Sequence, residues 1–270
     1  MAEPLLTARN LKKSYRQSSS VFGGGETQHG RRIAAVDDVS LTVGVGQTLA
    51  IVGESGSGKT TLARVLLRLV EPDEGEIVFA GRDLIAARGA GLRALRREMQ
   101  MVFQDPYASL DPRMRVGEIV AEPLEIHETH LARAEKRQLA ATMLERIGLG
   151  ADAQERYPHE FSGGQRQRIG IARALILRPK LVVADEPISA LDVSVGAQIL
   201  ELLAELQREF ALTYLLISHS LPVVAQLATH VAVMRGGKFI ETGPAEQVLE
   251  HPAHPYTQAL LAAVPQVPGN

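Results

Sequence analysis

The chain has 270 residues, 45% of them hydrophobic, which is enough to bury the core of one or two domains. Its 29 basic and 31 acidic residues leave a formal charge of −2, a balance that argues against a nucleic-acid-binding protein. The absence of cysteine excludes disulfides, thiolate metal sites and cysteine nucleophiles. No apolar run approaches the ~20 residues needed to cross a bilayer, and the start lacks the basic and apolar regions of a signal peptide. We therefore expect a chain that is soluble by itself.

The first part of the chain is predicted to be rich in strands. Residues 5–15 and 39–43 are predicted strands, and a serine- and glycine-rich stretch at 17–30 indicates a flexible insertion between them. Residues 75–81 form a further predicted strand bounded by glycines. This part is therefore expected to form a small β-subdomain.

A glycine-rich loop follows the apolar run at 48–52. It matches G-x-x-x-x-G-K-[ST], and the apolar residues behind it have helical spacing. In such a loop the backbone N–H groups turn toward phosphate oxygens, and the following helix adds its positive end. A glycine-rich turn that binds nothing is the alternative, which the flanking strand and helix disfavour. The predicted nucleotide-binding residues here are Gly53, Glu54, Ser55, Gly56, Ser57, Gly58, Lys59, Thr60 and Thr61.

Four side chains would carry the chemistry of a nucleotide site. Lys59 would reach the β- and γ-phosphates, and the Thr60 hydroxyl would hold Mg²⁺. A second apolar run, at 180–184, ends in Asp185 and Glu186, at what we expect to be the carboxyl edge of a parallel strand. Asp185 is expected in the Mg²⁺ shell. Glu186, on the other side of the strand by alternation, is expected to act as a general base on water, which is worth about 10²–10⁴ in rate. Without the phosphate loop, two solvated acids would be the plainer interpretation.

Helical patterns occupy two further stretches. From about residue 106 to 157 the pattern is helical, with Leu139, Met143, Leu144 and Ile147 at helix spacing, and we interpret it as an inserted helical subdomain. Residues 195–210 form a predicted amphipathic helix that packs on the sheet rather than binding a partner. Its apolar face comprises Val195, Ile199, Leu202, Leu203, Leu206 and Phe210.

A second predicted helix start has the features of an anion site. Ser162 would cap a helix that opens with Gly163, Gly164 and Gln165, so that free N–H groups and the helix dipole meet at one point. One nucleotide does not need two such helix starts from one chain. We therefore expect this one to serve a nucleotide bound by another subunit.

Together these motifs resemble those of the ATP-binding cassette (ABC) family, over essentially the whole chain. The family's signature motif, Leu-Ser-Gly-Gly-Gln, appears here with Phe161 in first place. The resemblance places Tyr15 as an adenine-stacking aromatic, Gln104 as a ligand to Mg²⁺ or the attacking water, Asp192 in the D-loop and His219 as the switch histidine. Each residue also has an interpretation without a role at the nucleotide. Tyr15 would be an edge-strand aromatic, Gln104 a capping amide and His219 an ordinary histidine.

The resemblance also implies an architecture and partners. It implies an α/β fold, with a P-loop NTPase (RecA-like) core, an N-terminal antiparallel β-subdomain and an inserted α-helical subdomain. The 1–270 chain would be one ATPase domain, with the β-subdomain and core in 1–104 and 162–250, the helical subdomain in 105–161 and a C-terminal tail in 251–270. ATP and Mg²⁺ would be bound between two such subunits, a homo- or heterodimer. Transmembrane permease subunits and, indirectly, an extracytoplasmic solute-binding protein would complete an importer, and the chain would be peripheral on the cytoplasmic face of the inner membrane.

Three segments resemble the subfamily of oligopeptide, dipeptide and nickel importer ATPases, namely 105–112, 189–194 and 251–261. One departure from the family pattern is Ser220, where an acidic residue is common after the switch histidine.

Two other functions remain open, a non-transport ATPase of the same fold and a regulatory module that senses ATP without turnover. The first would favour tandem cassettes, a coiled coil or a basic face. The second would favour loss of Glu186 or of the signature, and both are present.

Overall fold

The computed structural model describes residues 4–16, 32–105 and 107–263, and the predicted insertion at 17–30 lies outside them. The strands are β1 Pro4–Arg16, β2 Arg32–Gly44, β3 Thr48–Val52, β4 Glu74–Phe79, β5 Arg82–Asp83, β6 Met99–Val102, β7 Leu181–Asp185, β8 Thr213–Ile217, β9 His230–Arg235 and β10 Lys238–Pro244. The helices are α1 Lys59–Leu66, α2 Gly89–Glu98, α3 Val116–His127, α4 Arg133–Arg146, α5 Gly163–Leu175, α6 Val193–Phe210, α7 Leu221–Leu227, α8 Ala245–Glu250 and α9 Pro255–Ala262. Two short 3₁₀ helices, Ala151–Glu155 and Pro158–Glu160, lie between α4 and α5.

The strands form two sheets. The first is antiparallel, in the order β2-β1-β4-β5, and confirms the predicted N-terminal β-subdomain. The second has the order β10-β9-β3-β8-β7-β6, in which all neighbours are parallel except β10 and β9. In this sheet Ile51 of β3 and Asp185 of β7 both pair with Ile217 of the intervening β8. Three strands therefore end side by side at one edge.

The larger sheet is buried on both faces, which explains why its strands are continuous apolar runs. On β7, Val182 and Ala184 belong to one apolar core, whereas Leu181 and Val183 belong to the other. The first core contains the buried face of α6 and the helical segment, which begins with α3 and α4. The second core contains α1 and the antiparallel sheet. The central strands thus contribute to both apolar cores.

The helical segment begins later than predicted. Residues 107–114 form turns and bends instead of a helix. The Asp105 carboxylate accepts from the Tyr107 and Ala108 N–H groups, and the Asp111 carboxylate accepts from the Arg113 N–H. The first regular helix, α3, begins only at Val116.

Within α4, residues at the predicted helical spacing differ in how far they are exposed. Leu144 is fully buried and Met143 is nearly so, but Leu139 is 43% exposed. Leu139 therefore contributes little to the core of the helical segment. Among the described residues, no helix has both the length and the apolar character needed to cross a membrane.

The two leucines of α4 provide a matched test of this packing. We expect Leu144→Ala to lower the free energy of unfolding by about 2–5 kcal/mol, because it removes fully buried methyl groups and leaves a cavity. The control Leu139→Ala makes the same chemical change at an exposed position of the same helix and should cost less than about 1 kcal/mol. Urea unfolding of both variants measures the difference, and equal losses would contradict the packing described.

Candidate active site

Four strands of the larger sheet bring the predicted site residues to one edge. The phosphate loop follows β3, Gln104 follows β6, Glu186 follows β7 and His219 follows β8. Because these strands are parallel neighbours, their carboxyl ends open onto one crevice. The crevice is a cavity of about 530 Å³, and it is lined by Ala35, Ser55, Gly56, Gly58, Lys59, Thr60, Thr61, Gln104, Glu186 and His219.

The loop needs two of its glycines for close backbone contacts. Gly53 and Gly58 both have positive φ, at 150° and 108°. A Cβ on Gly53 would overlap the carbonyl oxygen of Met234 on β9, and one on Gly58 would overlap that of Ala35 on β2. The loop is therefore seated between strands of both sheets, in a conformation that a side chain at either glycine would disrupt.

Lys59 lines the cavity and is held by the loop that precedes it. Its ammonium donates to the carbonyl oxygens of Gly53 and Glu54, each at 2.8 Å. Burial lowers the pKa of this ammonium, while the carboxylates of Glu186, Asp185 and Glu54 oppose the shift. The loop thus wraps around its own lysine and holds a positive charge at the cavity wall.

Thr60 and the buried Asp185 form a hydrogen-bonded oxygen pair beside the loop. The Thr60 hydroxyl donates to Asp185 Oδ1 at 3.3 Å. Asp185 is 3% exposed. Burial, followed by the nearby charge of Glu186, raises the pKa of the Asp185 carboxyl. In the described structure its negative charge is therefore poorly compensated.

Glu186 lies one residue beyond the strand on which its direction was predicted. β7 ends at Asp185, and Glu186 has a left-handed backbone with φ of 48°, an uncommon conformation for a residue other than glycine. Its side chain reaches the cavity, where Oε2 accepts from Gln104 Nε2 at 2.8 Å and Oε1 lies 3.0 Å from His219 Nδ1. Glu186 is therefore in direct contact with the two other residues predicted to be catalytic, Gln104 and His219.

The second helix start lies elsewhere. Ser162, Gly163, Gly164 and Gln165 are not among the residues that line the cavity. Ser162 caps α5 as predicted, because its Oγ accepts from the Gln165 N–H at 3.3 Å and Gln165 Oε1 accepts from the Ser162 N–H at 3.0 Å. A Cβ on Gly164 would overlap the Val195 side chain, so this glycine also lets α5 approach α6.

Asp192 and Tyr15 are positioned outside the cavity wall. Asp192 caps α6, its carboxylate accepting from the Val195 N–H at 2.9 Å, and it lines a neighbouring pocket with Glu186 and His219. Tyr15 is 44% exposed on β1 and does not line the cavity. Its stacking on adenine stays a prediction, since residues 17–31 after it lie outside the described part of the chain.

The structure adds site residues that the motifs did not indicate. Ala35 lines the cavity, and the Met234 carbonyl oxygen lies beside Gly53. Their small or apolar side chains do not indicate a binding role in the sequence. After His219, the Ser220 N–H donates to Ser218 Oγ at 2.9 Å. The backbone at the departure from the family pattern is therefore hydrogen-bonded locally, without an acidic side chain.

The buried charge of Asp185 leads to a stability prediction. Without nucleotide or Mg²⁺, we expect Asp185→Asn to raise the free energy of unfolding at neutral pH by on the order of 1 kcal/mol. Since the folded state raises the pKa of Asp185, it binds a proton more tightly than the unfolded chain does. The wild type therefore loses stability as pH rises from the ordinary aspartate range through the raised value, and the variant's advantage should vanish in acid.

Urea unfolding across pH measures this effect. Asp192→Asn is the matched control, because it removes an exposed helix-capping carboxylate and asparagine caps equally well, so it should be near neutral. A less stable Asp185→Asn at neutral pH would contradict the electrostatic description.

Comparison with known proteins supplies independent findings. A family model described as ABC transporter matches residues 36–189, and one described as oligopeptide/dipeptide transporter, C-terminal region, matches residues 240–270. The glutathione import ATP-binding protein GsiA of Pectobacterium atrosepticum is 49% identical over 264 residues, which is 98% of this chain and 42% of GsiA. The chain therefore spans less than half the length of that relative. The probable peptide ABC transporter ATP-binding protein y4tS of Sinorhizobium fredii is 48% identical, over 98% of this chain and 74% of its own length.

Solved structures agree with these matches. The dimeric ATP-binding cassette MJ0796, in a post-hydrolysis state bound to ADP and Pi, superposes with a TM-score of 0.76 at 28% identity, over 89% of this chain and 98% of that one. CbiO1 from Clostridium perfringens, part of the ABC transporter complex cbiONQ, gives 0.76 at 26% identity, over 92% of each chain. The predicted fold class and the resemblance to the oligopeptide/dipeptide group are confirmed. This chain belongs to the ABC transporter family.

Proposed function

We propose that this chain binds and hydrolyses ATP to drive uptake of peptides through separate membrane subunits. The observation that carries the proposal is the position of Glu186, held between Gln104 and His219 at the mouth of the phosphate-loop cavity. A carboxylate so placed can accept a proton from water, and its two neighbours are polar groups that can register the third phosphate. The same contacts argue against a module that only senses ATP.

The cavity suits a nucleoside triphosphate and Mg²⁺. Lys59 and the loop N–H groups would hold the phosphates, and Thr60, Asp185 and Gln104 would hold the cation. The fit rests on the donor set, since Thr60 and Asp185 present adjacent oxygen atoms, the ligands that Mg²⁺ prefers, beside a poorly compensated buried charge. When bound, Mg²⁺ supplies neutralisation of phosphate charge.

The complete catalytic site would need two chains. The start of α5 lies outside the cavity of its own chain, but its capped N-terminus has the features of an anion site. In a twofold dimer each chain would offer its phosphate loop to one nucleotide and Ser162, Gly163, Gly164 and Gln165 to the other. A monomer would then bind ATP but hydrolyse it slowly.

A groove beside Gln104 is suited to a permease subunit. It lies between the catalytic core and the helical segment, and it exposes apolar side chains of Leu69, Phe103 and Ile126. Since Gln104 directly follows Phe103, loss of the third phosphate could move the helical segment against this surface. A permease held there would place the chain on the cytoplasmic face of the inner membrane, with the solute-binding protein on the far side.

Peptides are the favoured solute class over nickel. Residues 240–270 match the oligopeptide/dipeptide transporter C-terminal region, and the relatives named for a solute import glutathione or peptide. Glutathione is itself a small peptide. Selection among peptides would lie in the membrane subunits and the binding protein.

The general-base role is tested by Glu186→Gln. Turnover of ATP should fall by about 10²–10⁴-fold, because the amide cannot accept the proton of the attacking water, while ATP binding is retained. Steady-state phosphate release and binding of a fluorescent ATP analogue measure the two effects. The control Glu205→Gln, the same change at an exposed position of α6, should leave both unchanged. Full activity in Glu186→Gln would refute the role.

The shared site is tested by mixing two inactive variants. Lys59→Ala damages the phosphate loop and Ser162→Arg blocks the start of α5. In a homodimer of either variant, both sites contain a damaged half, so neither site is functional. In a mixed dimer one site combines both intact halves. An equimolar mixture should therefore recover up to about a quarter of wild-type turnover, since half of the dimers are mixed and half of their sites are intact. No recovery, with mixed dimers shown by light scattering and tagged pull-down, would argue that each site is built within one chain.

A further inference from the structure

The C-terminal segment around α9 is attached to the catalytic core by specific hydrogen bonds. The Glu241 carboxylate on β10 accepts from the backbone N–H groups of Ala253, at 2.7 Å, and His254, at 3.1 Å. His254 Nδ1 in turn accepts from the Tyr256 N–H at 3.1 Å, which caps α9. The backbone at the start of α9 is therefore held relative to the sheet.

These bonds bring the Tyr256 ring against the end of β9. The Arg235 guanidinium lies over the ring, 4.6 Å from its centre, in a cation–π contact. The ring is half-buried and packs against the first core, the one that contains the buried face of α6. Met234, the residue before Arg235, is the one whose carbonyl oxygen abuts Gly53 of the phosphate loop. The end of β9 therefore touches both Tyr256 and the loop.

The Tyr256 hydroxyl reaches the loop directly. It accepts a hydrogen bond from the Glu54 N–H at 3.3 Å. That N–H belongs to the same peptide unit as the Gly53 carbonyl, which accepts from Lys59 Nζ at 2.8 Å. A peptide unit is planar, so the orientation of its N–H also determines the orientation of its carbonyl. One plane of the loop is thus held by Tyr256 at one end and by Lys59 at the other.

We propose that Tyr256 is a positioning residue for nucleotide binding, which orients the Gly53–Glu54 peptide and through it Lys59. This inference rests on the proposed ATP function. The tyrosine comes from the region that matches the oligopeptide/dipeptide transporter C-terminal model, so that region contributes to the nucleotide site from outside the loop motif. Without the hydroxyl, the peptide can rotate and the loop must be ordered when ATP binds, which weakens binding without changing the chemical step.

The test is Tyr256→Phe in the full chain. This variant removes one oxygen atom and keeps the aromatic ring that packs under Arg235. Tyr214→Phe is the matched control, since it removes a buried hydroxyl that donates to the Leu203 carbonyl at 3.1 Å. Tyr214 pairs with Thr48, at the opposite end of β3 from the loop. Binding of a fluorescent ATP analogue, KM and kcat for ATP, and NMR-detected exchange of the Glu54 amide hydrogen are measured for all three proteins.

For Tyr256→Phe we expect the analogue's Kd and the KM to rise by about threefold to tenfold, the range of one neutral hydrogen bond, with kcat within about twofold of wild type. The Glu54 amide should lose protection, whereas Tyr214→Phe should keep the wild-type Kd and Glu54 protection even if it unfolds more easily. An unchanged Kd, or an unchanged Glu54 amide, in Tyr256→Phe overturns the proposal. A wild-type chain that does not bind the analogue would instead overturn the proposed function.

Discussion

The parallel register of β3, β8 and β7 is the constraint on which the rest of the structure depends. Because Ile51 and Asp185 both pair with Ile217, the chain leaves all three strands at the same level. The phosphate loop, the two acids and His219 therefore meet, although they are far apart in sequence. A shift of one residue in any of these strands would turn its side chains to the opposite face. The apolar cores on both faces of the sheet prevent such a shift, so packing secures the site's geometry.

The site concentrates charge and strain that the fold does not itself need. Asp185 is a buried acid with a raised pKa, Lys59 is a buried amine with a lowered one, and Glu186 has a left-handed backbone. Each of these features costs stability in the absence of ligand. Phosphates beside Lys59 and a cation beside Asp185 would compensate both charges. Such an arrangement is typical of a site selected for binding rather than for stability.

Several glycines and one tyrosine show how distant segments support the phosphate loop. Gly53 and Gly58 let the loop lie against backbone oxygens of Met234 and Ala35, which come from different sheets. Tyr256 approaches the same loop from α9. The loop conformation is therefore a property of the whole chain. At the start of α5, Gly164 plays a comparable part by letting α5 approach α6, so that the helix start is positioned by its neighbour.

Local pattern by itself determined the phosphate loop, the strand before it, the capped start at Ser162 and four buried residues of α6, Ile199, Leu202, Leu203 and Leu206, because each depends on residues close together in sequence. It missed the buried Leu200 and included Val195, which is only partly buried. Tertiary structure decided what no local rule contains. It showed that Leu139, at helix spacing with the buried Leu144, faces outward. It showed that Glu186 leaves its strand to join Gln104 and His219. It also placed Tyr256 on the loop, a contact across 202 positions. Sequence periodicity carries the direction of a side chain within an element, but only the packing of elements carries the contacts between them.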